Sequence, residues 1–188
     1  MKKIALVGDI GSGKSYISKL FNYPIFNADS EVLKIYKTNK KCFLDIKKKF
    51  KKFNFSFPIK KNELIECILQ NKSNLKEISK IVHPIVRKKL NIFLRKNINK
   101  KFVILDIPLY LENKIKKKKD IVIFVQAKKK DINKRLIKRK GFNKKLIKIF
   151  RKIQLPLYIK KKKSDFVIKN DFSKKSAKKS VKYILAKF

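Results

Sequence analysis

The sequence predicts an α/β fold with a central parallel sheet, and three observations carry that expectation. Short apolar runs that end on a polar residue alternate with amphipathic stretches along the whole chain, the pattern of strands joined by helical crossovers. One turn, Gly8-Asp9-Ile10-Gly11-Ser12-Gly13-Lys14-Ser15, reads G-x-x-x-x-G-K-S and lies between an apolar run and a helical pattern. The chain has 188 residues, 44% of them hydrophobic, enough for one domain with a core and unlike a disordered composition.

Ile4-Ala5-Leu6-Val7 is the first run and suits a buried strand. The glycine-rich turn follows. Its glycines permit a tight backbone close to a phosphate, and its N–H groups and the next helix start supply positive charge there. In such a loop Lys14 adds a full charge at the β- and γ-phosphates, and Ser15 offers its hydroxyl to Mg²⁺. Ile17, Leu20 and Phe21 give the following helix one apolar face.

Tyr23-Pro24-Ile25-Phe26 reads as a short strand and Asn27-Ala28-Asp29-Ser30 as its end. Ser30 or Asp29 is placed to cap a helix with Val32, Leu33, Ile35 and Tyr36 inward. Asp29 equally stands where a strand end meets the ligand crevice of an open sheet, so both readings stay open. Residues 40–101 are lysine-rich and helical in pattern. Phe43, Leu44, Ile46 and Phe50 form one face and Leu64, Ile65, Ile68 and Leu69 another, with a loop at Asn54–Pro58. Ile78, Ile81 and Val82 lead to His83-Pro84, and a helix with Ile85, Val86, Leu90, Phe93 and Leu94 follows. His83, the only histidine, reads as a cap or turn residue or as a catalytic one.

Phe102–Ile107 is a continuous apolar run broken only by Asp106, as in a central parallel strand. Asp106 is placed to hold Mg²⁺ through water, to orient an acceptor, or to pair with backbone at the sheet end. Lys116–Lys119 form a charged turn before the strand Ile121–Val125. Arg135 and Arg139 are four apart, so a helix would put them on one face, for phosphate contact or as a solvated basic surface. Lys140-Gly141-Phe142-Asn143 breaks that helix, and the next carries Leu146, Ile149, Phe150 and Ile153 inward. Two helices around a glycine turn suit a lid. Asp165–Ile168 is the last strand, and the last helix buries Ala177, Val181, Ile184, Leu185 and Phe188.

The net charge is +41, yet only five of the 54 basic residues are arginine: Arg87, Arg95, Arg135, Arg139 and Arg151. Abundant Lys, Ile and Asn without Trp fit AT-rich codon usage. Specific nucleic-acid readers lean on arginine forks, so we expect no specific nucleic-acid partner, only salt-sensitive binding to polyanions. No apolar run reaches 18 residues, so no membrane span is expected. The chain enters its first strand directly, without room for a signal peptide, and Cys42 and Cys67 read as reduced thiols. A cytoplasmic location is the expectation.

Five signposts in order give the chain a family resemblance. They are Gly8–Ser15; Asn27-Ala28-Asp29; His83-Pro84; Asp106-Ile107-Pro108-Leu109-Tyr110-Leu111-Glu112; and Gln154-Leu155-Pro156-Leu157 through Lys160 to Ser164-Asp165-Phe166-Val167-Ile168-Lys169-Asn170. Together they resemble the dephospho-CoA kinase family. The resemblance implies a three-layer P-loop kinase fold spanning residues 1–188. Its core would be 1–54, 101–127 and 153–188, its helical acceptor-binding insertion 55–100 and its helical lid 128–152. It implies ATP-dependent phosphorylation of the 3′-hydroxyl of dephospho-CoA, the last step of coenzyme A synthesis, with Mg²⁺, by a monomer or weak homo-oligomer. Another small-molecule or nucleotide kinase on the same scaffold is the alternative, ahead of a nucleotide-switched nucleic-acid binder.

By motif position, the resemblance gives Gly8, Gly11, Ser12, Gly13, Lys14, Ser15 and Tyr16 to ATP, with Asn170 at the adenine. Ser15 and Asp106 would hold the metal. Asp29 would face the acceptor hydroxyl, His83, Pro108 and Leu109 would contact the acceptor, and Arg139 would stabilise the transferred phosphoryl. Four positions depart from the pattern. Asn27 replaces the first acid of D-A-D, Asp9 stands where a glycine is common, Tyr16 replaces a small Ser or Thr, and Lys140 replaces a common Asp.

Overall fold

The structure, a computed structural model, describes residues 1–139 and 141–188; Lys140 lies outside them. Its elements run β1 (Lys2–Val7), α1 (Lys14–Leu20), β2 (Ile25–Asn27), α2 (Ala28–Thr38), α3 (Lys40–Lys49), α4 (Lys61–Gln70), α5 (Asn74–Lys96), β3 (Phe102–Asp106), β4 (Ile121–Gln126), α6 (Lys129–Ile137), α7 (Lys144–Lys152), α8 (Leu157–Lys162), β5 (Phe166–Lys169) and α9 (Lys174–Leu185). They fall into two compact units, Met1–Asn27 with Asn97–Phe188, and Ala28–Lys96.

The first unit is built on a five-stranded parallel sheet in the order β2-β3-β1-β4-β5. All of β3, the first five residues of β4 and Ile4–Val7 of β1 are buried. That is why these strands read as unbroken apolar runs rather than alternating ones. Ile4, Leu6, Ile104, Ile123 and Ile168 meet Ile17 and Phe21 of the first helix region and Ala177, Val181 and Ile184 of α9 in one core. Phe188 lies beyond the end of α9 yet sets its ring on Phe102 and Phe166, at centroid distances of 6.0 and 5.8 Å. β1 has neighbours on both sides, and Ala5 pairs with Leu105 while Asn27 pairs with Asp106. Strands β1, β2 and β3 therefore end on one edge of the sheet, where open α/β sheets bind ligands.

The second unit is helical. α2 and α3 both pack on α5, and α4 joins them. Ala28, Ile35, Cys42, Ile46, Leu64, Cys67, Ile68, Ile78, Val82 and Leu90 are its buried positions on the helices. The division thus groups α2 and α3 with the helical segment, whereas the sequence suggested a boundary at residue 55. Leu44, expected on the buried face of α3, is 59% exposed, and Cys42 takes its place. Asn39 caps α3 by accepting a bond from the Cys42 N–H at 2.8 Å.

Three local expectations change. β2 continues through Asn27 and α2 starts at Ala28, so Asp29 and Ser30 are not caps but lie in the first helical turn. The ladder to β3 runs to Asn27 and leaves no loop. His83-Pro84 does not separate two segments: α5 runs through both. Arg139 does not share a helix with Arg135, because α6 ends at Ile137 and Lys138 is its C-cap. A helix not foreseen, α8, follows Pro156.

Candidate active site

The glycine-rich turn closes the end of β1 and runs into α1. Gly8 has φ 145° and Gly13 φ 94°, in the region that L side chains avoid. A Cβ on Gly8 would stand 2.5 Å from the Val125 carbonyl oxygen, and one on Gly13 would run into Asn170 Nδ2. The loop is therefore seated on β4 and on the residue that follows β5. A Cβ on Gly11 would press Leu136 at 3.0 Å and Ile132 at 3.1 Å, which shows α6 packed over the loop. Ser12 is fully buried, and its Oγ has no hydrogen-bond partner among the described residues.

Lys14 Nζ donates to the carbonyl oxygens of Asp9 at 2.7 Å and Gly8 at 3.2 Å, so its ammonium lies folded back along the loop. Ser15 and Tyr16 are exposed in the first turn of α1. Asp106 ends β3 with 3% exposure, and its Oδ2 accepts a 2.7 Å bond from Asn27 Nδ2. The departure at Asn27 thus has a local consequence. A second carboxylate there would repel a buried Asp106, whereas an amide donates to it.

Asn170 is 4% exposed and holds the loop from behind. Its Nδ2 donates to the Ser12 carbonyl at 2.8 Å, and its Oδ1 accepts from the Phe172 N–H at 3.0 Å. Phe172 has φ 66°, and Arg135 lays its guanidinium 4.5 Å above the Phe172 ring centroid. Arg139 is exposed just past α6, where its N–H donates to Leu136 and its carbonyl accepts from Phe142. Pro108 and Leu109 are half-buried in the turn after β3. Asp29 is exposed on α2 and His83 half-buried on α5, both in the helical unit. Burial and then the Arg87 charge hold the His83 imidazole below its ordinary pKa.

Two groups of residues escaped the sequence reading as partners. Arg151 bonds Asp9 through Nε at 3.2 Å and Nη2 at 3.0 Å. Lys160, fully buried, pairs with Glu112 at 2.8 Å and donates to Gln154 at 2.9 Å. Glu112 also accepts from the Leu155 N–H at 2.9 Å, while its Oε2 is buried without a hydrogen-bond partner among the described residues. Two motifs recognised separately, the one ending in Glu112 and the one running from Gln154 to Lys160, are therefore one contact. Sequence gives no pairing across 43 to 142 residues.

A phosphate-binding loop at the C-terminal end of β1 in a five-stranded parallel sheet, with α6 and α7 beside it, defines a P-loop kinase scaffold. The model of the dephospho-CoA kinase family matches residues 2–176. The chain belongs to that family and is an ATP-dependent dephospho-CoA kinase of coenzyme A biosynthesis. It is 34% identical to a dephospho-CoA kinase of Wolbachia sp. subsp. Brugia malayi, over 97% of this chain and 95% of the relative. It is 29% identical to one from Agrobacterium fabrum, over 98% and 96%. A crystal structure of a Thermus thermophilus protein matches with TM-score 0.80 at 25% identity, over 100% of this chain and 97% of that one. Dephospho-CoA kinase from Campylobacter jejuni shares the fold at TM-score 0.64 and 24% identity, over 99% and 96%.

Proposed function

We propose that the Gly8–Ser15 loop holds the donor and that the 3′-hydroxyl of dephospho-CoA receives the γ-phosphoryl group of ATP. The observation that supports this most is the loop itself. It has positive-φ glycines at close-approach points, a buried Ser12 hydroxyl without a hydrogen-bond partner among the described residues, and an ammonium held at its rim. In this reading Lys14 turns from the Asp9 and Gly8 carbonyls to the β- and γ-phosphates, and Gly8, Gly11, Ser12, Gly13 and Tyr16 complete the cradle.

The exposed Ser15 hydroxyl and the buried Asp106 carboxylate form an oxygen donor set that suits Mg²⁺, an ion that keeps several waters and takes few protein ligands. When bound, Mg²⁺ neutralises charge that builds on the phosphate oxygens. Asn27 keeps one Asp106 oxygen oriented.

Asp29 orients the acceptor hydroxyl and accepts its proton, with His83, Pro108 and Leu109 as acceptor contacts. An ordinary carboxylate is a weak base for an alcohol, so orientation is its larger contribution. Arg139 supplies charge to the transferred phosphoryl, and residues 128–152 act as the lid. Asn170 shapes the adenine end by fixing the loop. We place the reaction in the cytoplasm, carried out by a monomer or weak homo-oligomer.

The test is ATP consumption by purified protein with and without dephospho-CoA, beside a panel of nucleoside monophosphates and shikimate. Consumption that needs dephospho-CoA supports the reading, and transfer only to another acceptor overturns it. Asp29→Asn lowers kcat by about 10²-fold or more with a smaller change in the acceptor KM. A change in KM alone would reduce Asp29 to a binding contact.

A further inference from the structure

The donor loop carries an acid. Asp9 follows Gly8 directly, and its side chain is only 14% exposed. A carboxylate beside a triphosphate cradle opposes the ligand it must accept, since like charges in a partly buried site repel. The structure supplies the compensation. Arg151, in the last turn of α7, offers Nε to Oδ1 at 3.2 Å and Nη2 to Oδ2 at 3.0 Å. The two parallel bonds use the guanidinium fork, which a lysine cannot reproduce. In a chain with 54 basic residues and only five arginines, an arginine stands at this point. The same carboxylate accepts the Ile10 N–H at 2.7 Å, and the Asp9 carbonyl accepts Lys14 Nζ at 2.7 Å. Asp9 thus joins the backbone of the loop, its lysine and α7.

We propose that Asp9 and Arg151 form a charge-neutral brace of the donor site. Arg151 is a positioning residue: it cancels the loop acid and ties α7 to the loop, so ATP affinity falls when Asp9 is left without Arg151 and returns when the acid is removed as well. The inference rests on the reading of the loop as the ATP site.

The pair predicts a rescue in a two-residue cycle. Wild type, Asp9→Asn, Arg151→Met and the double variant are compared in ATP dissociation constant, by titration with a fluorescent ATP analogue, and in kcat and ATP KM. Arg151→Met alone leaves the acid uncompensated and weakens ATP binding about tenfold or more. Asp9→Asn alone changes it by less than about threefold, because the amide still accepts from Arg151. The double variant returns to within about threefold of wild type. Arg151→Lys, with charge but no fork, falls between wild type and Arg151→Met. A double variant as weak as Arg151→Met overturns the brace, because Arg151 would then touch phosphate directly or act only structurally. An Arg151→Met protein with unchanged ATP affinity overturns it as well. If Arg151→Met does not fold, the double variant and Arg151→Lys still decide. Wild-type protein that binds no ATP overturns the reading of the loop together with the brace, whereas binding without rescue overturns the brace alone.

Discussion

Two short motifs, Gly8–Ser15 and His83-Pro84, stand out equally in the sequence, yet the structure treats them in opposite ways. The first keeps the local form that its residues announce. The second disappears into a continuous helix of 23 residues. The difference lies in what each demands of the backbone. Gly8 and Gly13 occupy φ values of 145° and 94° that few other residues tolerate, so their conformation is written into their identity. His83 and Pro84 both accept helical φ, and Pro84 costs the helix one N–H bond. Ile78, Val82 and Leu90 stay buried on either side of them. The apolar face that continues through the motif outweighs the lost bond. A motif is read safely where its residues need a special backbone, and less safely where they merely disfavour the surrounding one.

Four variants sharpen or break this contrast, the first in turnover and the other three in stability, from the largest expected effect on stability down. Lys14→Ala removes the charge of the loop but none of its backbone geometry. It lowers kcat/KM by about 10²-fold or more, roughly 3 kcal/mol, while the melting temperature stays close to wild type. Near-normal turnover would show that the loop form alone carries no donor role. Lys160→Met tests the opposite type of feature, one with no local signature. It leaves Glu112 buried without its cation and costs about 3–5 kcal/mol of stability in denaturant unfolding. A joint Glu112→Leu change recovers most of that loss, and the absence of recovery would mean that the pair is not the source.

Pro84→Ala tests the helix directly. Pro84 is exposed within α5, so alanine restores a bond to the Lys80 carbonyl without disturbing packing. Stability rises by about 1 kcal/mol or more, read from the midpoint of a denaturant curve. A fall would indicate that the proline shapes the helix for packing or acceptor contact. The smallest effect belongs to His83. Its pKa lies below the ordinary value in the folded protein, owing to burial and then Arg87, so the unfolded chain binds the proton more strongly. Its contribution to stability is present above the unfolded value of about 6.5 and is lost as pH falls from there toward the folded value. His83→Gln flattens that part of the stability–pH curve. The shift in melting temperature stays under about 4 °C, what 1 kcal/mol produces in a chain of this size. An unchanged slope would remove His83 as its source.

Cysteine behaviour follows the same logic of burial. Cys42 is fully buried, and its thiol is pushed up to about 11, first by burial and then by the Asp45 charge. It is therefore inert to alkylation in the folded state.

Much of the candidate site was legible before the structure. The loop, the carboxylate that closes β3 and the order of strands and helices each follow from residues within about ten positions of one another. What remained illegible has one cause. Asn27 with Asp106, Asn170 with the Ser12 carbonyl, Arg135 with Phe172, and Glu112 with Lys160 are 37 to 158 residues apart. Read singly, Asp106 suggests a metal or an acceptor, Asn170 an adenine contact and Arg135 a phosphate or solvent, and none of them names its partner in the fold. Asp29 shows the limit from the other side. The sequence places it at a strand end, as a cap or a crevice carboxylate, whereas the ladder runs to Asn27 without leaving a loop and puts Asp29 in the first turn of α2.

The sequence by itself determined the parallel sheet, the donor loop and the family, because buried strands, positive-φ glycines and ordered motifs are local patterns. Only the tertiary structure decided how that loop is held. β4, α6, Asn170 and the Arg151 side chain of α7 surround Gly8–Ser15, and each arrives from a distant part of the chain. Asp9 meets the guanidinium of Arg151 across 142 residues of chain, and which of the many cations reaches it is a matter of packing rather than of pattern.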